Sequence, residues 1–192
     1  MFNSGTAIYL ASKSPRRKKL LKQINLTFKS FSVELKEEIL DGEHPIKTVK
    51  RLAAEKMALA EKRVEKGIII TADTIVVLDK EVIGKPISKK NAFEILSKLS
   101  GNKHNVYTGF VVKNVSNGRE IISYEKTSVT FRELQPKEIM DYIEGGSPMD
   151  KAGAYGIQDD FGSVFIKKIN GCYYNVVGLP LAKVYQSLLK MV

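Results

Sequence analysis

Short apolar runs alternate with amphipathic stretches through the first half of the chain. Runs near 6–11, 27–33 and 68–78 have the length and β-branched content of strands, and apolar residues recur at helical spacing near 15–24, 46–65 and 89–99. This order predicts an α/β fold with helices on the faces of the sheet. Beyond residue 100 the pattern changes. Two long β-rich runs, 104–115 and 119–131, are joined at Asn117-Gly118, a strong hairpin signal that adds antiparallel strands. A helix is predicted over 136–144, then a break at Gly145-Gly146-Ser147-Pro148. A second hairpin, 162–169 and 172–177, follows across Asn170-Gly171, and a closing helix starts after Pro180. No repeat or long linker divides the sequence, so residues 1–192 read as a single domain: two lobes around a twisted mixed sheet, with a cleft between them.

Composition narrows the class. A hydrophobic fraction of 43% argues against disorder, and a net charge of +10, from 31 basic and 21 acidic side chains, suits a polyanionic ligand. Cys172 is the sole cysteine, so no internal disulfide forms, and no Cys/His spacing resembles a zinc site. With no basic leader and no apolar stretch long enough to span a bilayer, a soluble, cytoplasmic protein is expected.

Several local patterns carry chemistry. Ser12-Lys13-Ser14-Pro15-Arg16-Arg17 follows the first apolar run. Ser14 suits a helix N-cap and Pro15 the first helical position, so Arg16 and Arg17 stand at the positive end of a helix, where they form either a site for a bound anion or a solvated basic face. Asp73 and Thr74 interrupt the apolar run 68–78. A buried carboxylate there requires nearby cations or a metal, and reads as a general base, a metal ligand or the cap of a neighbouring turn. Lys56 falls inside the apolar arc of Val49, Leu52, Ala53, Met57, Ala60 and Val64, either snorkelling to water or delivering an ammonium into a cleft. Gly84-Lys85-Pro86 follows a short hairpin at 79–83 and either aims one cation or is an ordinary turn with an exposed lysine. In Asp150-Lys151-Ala152-Gly153-Ala154-Tyr155-Gly156-Ile157-Gln158, small residues let a ligand approach backbone, and the Gln158 amide can both donate to and accept from a base edge. His104, with no nucleophile triad around it, reads as a structural polar group at a strand start.

Taken together, Ser-x-Ser-Pro-Arg-Arg at 12–17, Glu55-Lys56, Ala72-Asp73-Thr74, Gly84-Lys85-Pro86, Ser100-Gly101-x-x-His104-x-Val106-x-Thr108-Gly109, the 150–158 segment and Asn175-Val176-Val177-Gly178-Leu179-Pro180 resemble the Maf family of nucleoside triphosphate pyrophosphatases over essentially the whole chain. The resemblance implies a two-lobed α/β fold similar to that of the inosine triphosphate pyrophosphatases, with the active site in the cleft. It implies cleavage between the α- and β-phosphates, with Asp73 as general base and Ser12, Arg16, Arg17, Lys56 and Lys85 around the phosphates. The Asp-Thr and Ile-Gln forms resemble the subgroup that takes dTTP and UTP, with Arg16, Thr74 and Gln158 at specificity positions. A divalent cation, Mg2+ or Mn2+, and a homodimer are implied as well.

Two departures qualify the match. The family's Asp-Glu pair after the second strand is replaced by Glu34-Leu35-Lys36-Glu37-Glu38. Glu37 aligns best as the metal ligand beside Asp73, with Glu34 and Glu38 as substitutes. Asp159-Asp160 stand where glycine is common in the family. The competing function is a nucleotide- or nucleic-acid-binding regulator of cell division, but the aromatic residues lie mostly in apolar runs rather than interleaved with Lys and Arg.

Overall fold

A computed structural model describes residues 5–145, 148–158 and 161–192. The strands are β1 (Ile8–Ala11), β2 (Lys29–Phe31), β3 (Ile68–Leu78), β4 (Glu81–Ile83), β5 (Lys103–Asn114), β6 (Glu120–Phe131) and β7 (Ile166–Asn170). The helices are α1 (Pro15–Gln23), α2 (Pro45–Ala60), α3 (Lys89–Leu99), α4 (Pro136–Glu144), α5 (Tyr173–Val177) and α6 (Leu181–Leu189). Among the described residues these strands form one sheet in the order β2-β1-β3-β5-β6-β7, with β4 paired to β3. Pairing of β1 with β2 and β3 is parallel, whereas β3–β4 and β6–β7 are antiparallel, so the mixed α/β reading holds. No helix among the described residues is long and apolar enough to cross a membrane.

The chain separates into two compact units, one of residues 1–73, 108–125 and 178–192, the other of 74–107 and 126–177. In the first unit α2 packs on the sheet through Ala53, Met57 and Ala60 against Ala11, Ile69 and Val111. Small residues set the spacing. A Cβ on Gly109 of β5 would lie 2.2 Å from the Val49 carbonyl oxygen of α2, so only glycine lets this strand and helix approach so closely. Gly109→Ala should therefore force α2 outward at about 1–3 kcal/mol and lower the melting temperature by roughly 2–12 °C. An unchanged melt, followed by circular dichroism, would contradict that packing.

In the second unit Leu96, Leu99, Phe131, Ile139, Tyr142 and Phe165 belong to one core joining α3, α4 and the strand ends. The turn from β3 to β4 uses Asp79 (φ 48°) and Lys80 (φ 73°), as the short hairpin at 79–83 requires. The β5–β6 hairpin closes where anticipated but through a longer link, 115–119, in which Gly118 N–H donates to the Asn114 carbonyl at 2.9 Å.

The reading at Asn170-Gly171 is corrected. No second hairpin forms there: 161–165 is a 3-10 turn, 166–170 is β7, and 173–177 is helical. Buried polar groups decide this. Asn175, fully buried, donates to the Val106 carbonyl at 3.0 Å and to Thr127 Oγ1 at 2.9 Å, and Thr127 Oγ1 both donates to the Cys172 carbonyl and accepts from its N–H at 3.0 Å. A strand at this place would carry Asn175 away from those partners, and unpaired buried amides are costly.

Candidate active site

Strand β3 presents Ile69, Thr71 and Asp73 on one face, because alternate residues of a strand share a side. Ile69 packs in the core beneath α2, and the buried Thr71 hydroxyl donates to the Ala53 carbonyl of α2 at 2.7 Å. The next position on that face is Asp73, whose side chain is 6% exposed. Lys56 of α2 answers it: its ammonium donates to Asp73 Oδ1 at 2.5 Å and to Glu37 Oε1 at 2.6 Å. The Lys56 side chain is only 11% exposed, so the lysine in the apolar arc does not snorkel to water but spends its charge on two carboxylates.

Burial pushes the Asp73 carboxyl above its ordinary range, Lys56 opposes this, Glu37 adds to it by like charge, and Arg17 pulls it back. Such a carboxylate is a stronger base than one in water. Arg17 is pressed downward by burial, against the pull of Asp73 and Glu37, yet a guanidinium starts so high that it remains charged.

The N-terminus of α1 forms as the sequence requires. Ser14 caps it by accepting from Arg17 N–H at 3.4 Å, with Pro15 in the first turn and no acidic residue there. Arg17 then folds back, donating from Nε to the Gly178 carbonyl at 2.8 Å and from Nη1 to Ser12 Oγ at 3.3 Å. Ser12 Oγ also accepts from Ser14 N–H at 3.2 Å. Gly178 has φ of 120°, a conformation that favours glycine, so the Asn175–Pro180 segment supplies a carbonyl that aims an arginine. The sequence placed Gly178 in a motif without revealing that task.

Of the three glutamates after β2, the structure separates the roles. Glu34 pairs with Lys13 at 2.6 Å, both well exposed, and Glu38 offers its backbone carbonyl to Arg51. Glu37 alone of the three shares Lys56 with Asp73. Ser12, Arg17, Glu37, Lys56 and Asp73 are thus gathered in the first unit, with Arg16 beside Arg17 in the half-buried first turn of α1.

Thr74, Lys85 and Gln158 belong to the second unit. Thr74 is half-buried in β3, Lys85 is exposed, and Gln158 is half-buried in a bend. Two of the sequence patterns meet there: Gly153 N–H donates to the Gly84 carbonyl at 3.1 Å, and Gly153 (φ 73°) and Ala154 (φ 60°) turn the backbone through the left-handed region. Lys151 pairs with Asp150 at 3.0 Å. Asp159 and Asp160 lie outside the described residues. His104 is structural: it is fully buried, its Nε2 shares a 2.7 Å hydrogen bond with the Tyr155 hydroxyl, and burial pushes its pKa down to about 4.

Similar proteins point the same way. A family model described as "Maf-like protein" matches residues 7–191. A dTTP/UTP pyrophosphatase of Syntrophomonas wolfei is 48% identical over 179 residues, 93% of this chain and 94% of its own. One from Carboxydothermus hydrogenoformans is 44% identical over 94% of this chain and 96% of its own. Another from Clostridium perfringens strain 13 is 45% identical, covering 94% and 95%.

Proposed function

The chain belongs to the Maf family, and from this premise we propose that it is a cytoplasmic nucleoside triphosphate pyrophosphatase that hydrolyses dTTP and UTP to the monophosphate and pyrophosphate. The observation that carries the reading is the buried Asp73 carboxylate held by the Lys56 ammonium, close enough to Arg17 for their charges to interact. A triphosphate repels an incoming hydroxide, so cations around it and a positioned base are what the reaction needs. Arg17, held by Ser12 and the Gly178 carbonyl, keeps its guanidinium in one orientation and with its neighbour Arg16 neutralises phosphate oxygens, while Lys56 holds Asp73 and Glu37; Lys85 is proposed as a further phosphate-binding cation. Asp73 accepts the proton of the attacking water while that water's oxygen bonds to the α-phosphorus and pyrophosphate departs.

A divalent cation is proposed as the cofactor. Glu37 and Asp73, brought together on the Lys56 ammonium, are the carboxylates that would hold it, since Mg2+ is commonly held by one or two carboxylates with phosphate and water completing its shell. No cluster of three acidic, His or Cys ligands is present among the described residues, and this mode of binding requires none. When bound, the ion would draw charge from the phosphate oxygens.

Gln158 is the residue proposed to read the O4/N3 edge of uracil or thymine, with Thr74 and Arg16 as the further specificity positions. Pyrophosphate release should be fastest with dTTP and UTP across a panel of triphosphates supplied with Mg2+. In Gln158→Ala the preference over dCTP and dATP should shrink by about tenfold or more, with a smaller loss of kcat on dTTP. A profile that is flat in the wild type, or unchanged in the variant, would overturn this base assignment.

A further inference from the structure

Glu37 sits in a segment, 32–44, that has no helix or strand of its own, yet its carboxylate reaches the Lys56 ammonium at 2.6 Å. One side chain ties the following residues to α2. Arg51 donates from Nε to Glu43 Oε1 at 3.0 Å, from Nη2 to Glu43 Oε2 at 2.7 Å and to the Glu38 carbonyl at 2.9 Å, and from Nη1 to Glu55 Oε1 at 3.0 Å. Both edges of the guanidinium are engaged. The Arg51 side chain is 25% exposed and that of Glu43 14%, so this is not a solvated surface pair. The Glu38 carbonyl adjoins Glu37 in the chain, and Arg51 stands five residues before Lys56 on the same helix.

From this geometry we infer that Arg51 is a positioning residue for the reaction: it fixes the backbone at Glu38 against α2 and thereby presents Glu37 to Lys56 and Asp73. The inference rests on the pyrophosphatase reading for its consequence in turnover, though not for its structural content. Only a planar fork can serve two carboxylates and a carbonyl at once. Lysine, a point charge, retains attraction to Glu43 and Glu55 but cannot hold the carbonyl in the same geometry.

Arg51→Lys should lower kcat/KM for dTTP by about tenfold, the scale seen when a supporting contact behind a ligand is lost. A double-mutant cycle separates positioning from general stability. In a Glu37→Gln background the same Arg51→Lys change should cost about twofold or less, because the carboxylate it serves is already gone. An equal factor in both backgrounds, or no loss in either, would overturn the inference. Hydrogen exchange of the backbone amides over 35–42 provides a readout independent of turnover. Exchange there should accelerate in Arg51→Lys while α2 itself stays protected, and unchanged exchange would overturn the clamp. If the wild-type protein cleaves neither dTTP nor UTP, the functional reading falls while hydrogen exchange still decides the clamp.

Discussion

Asp73→Asn should lower kcat for dTTP by roughly 10³-fold, within the range general-base groups contribute. The amide keeps the size of the side chain and can still accept from Lys56, so the change removes basicity and charge with little change in packing. Binding of a non-hydrolysable dTTP analogue should survive with a Kd within about tenfold of the wild type, since the cations proposed to bind phosphate remain. Stopped or steady-state pyrophosphate assays measure the first quantity, and calorimetry the second. Activity near the wild-type level would move the base away from Asp73.

Lys56→Met tests the other half of the pair. Methionine retains most of the apolar stem but leaves Asp73 and Glu37 without the ammonium that joins them. Removing one partner of a buried pair costs about 3–5 kcal/mol. The lower end applies here, because Glu37 is 43% exposed and remains solvated. Turnover should fall about 10²-fold or more, as the ammonium that holds the proposed base in place is lost. The pH dependence has a definite sign. Burial already raises Asp73 above its unfolded value, and Lys56 is the largest influence opposing that rise. Without Lys56 the folded-state pKa climbs further. A group raised in the folded state holds its proton there while the unfolded chain releases it, so stability declines as pH rises from the unfolded pKa toward the folded one. The melting-temperature gap between Lys56→Met and wild type should be widest at neutral and alkaline pH and narrow as pH falls toward the unfolded carboxylate range. A gap that is constant across that range, or widest in acid, would contradict the pairing.

Much of this site is legible in the chain because it rests on periodicity. The run 68–78 is a strand over its whole predicted length, and Asp73, one of the polar residues that interrupt it, is the buried carboxylate. Lys56 appears as a misfit in an apolar arc, and the misfit resolves once Asp73 is seen opposite it. What escaped the sequence lies where contacts, rather than periodicity, define the structure. The segment 32–44 has no repeat from which to place Glu37, and Arg51 reads as an ordinary charged position until Glu43, eight residues earlier, folds back onto it. Gly178 shows a motif glycine but not that its carbonyl holds Arg17. Asn170-Gly171 carries a hairpin signature, yet the link leads into a helix because Thr127, Val106 and the buried Asn175 bond there.

If Asp73 and the cations around it direct water to the α-phosphorus of a pyrimidine triphosphate, phosphorus-31 NMR of dTTP incubated with the protein and Mg2+ should show dTMP and pyrophosphate as the sole products, in equal amounts. Formation of dTDP with orthophosphate, or dTTP left intact, would contradict it.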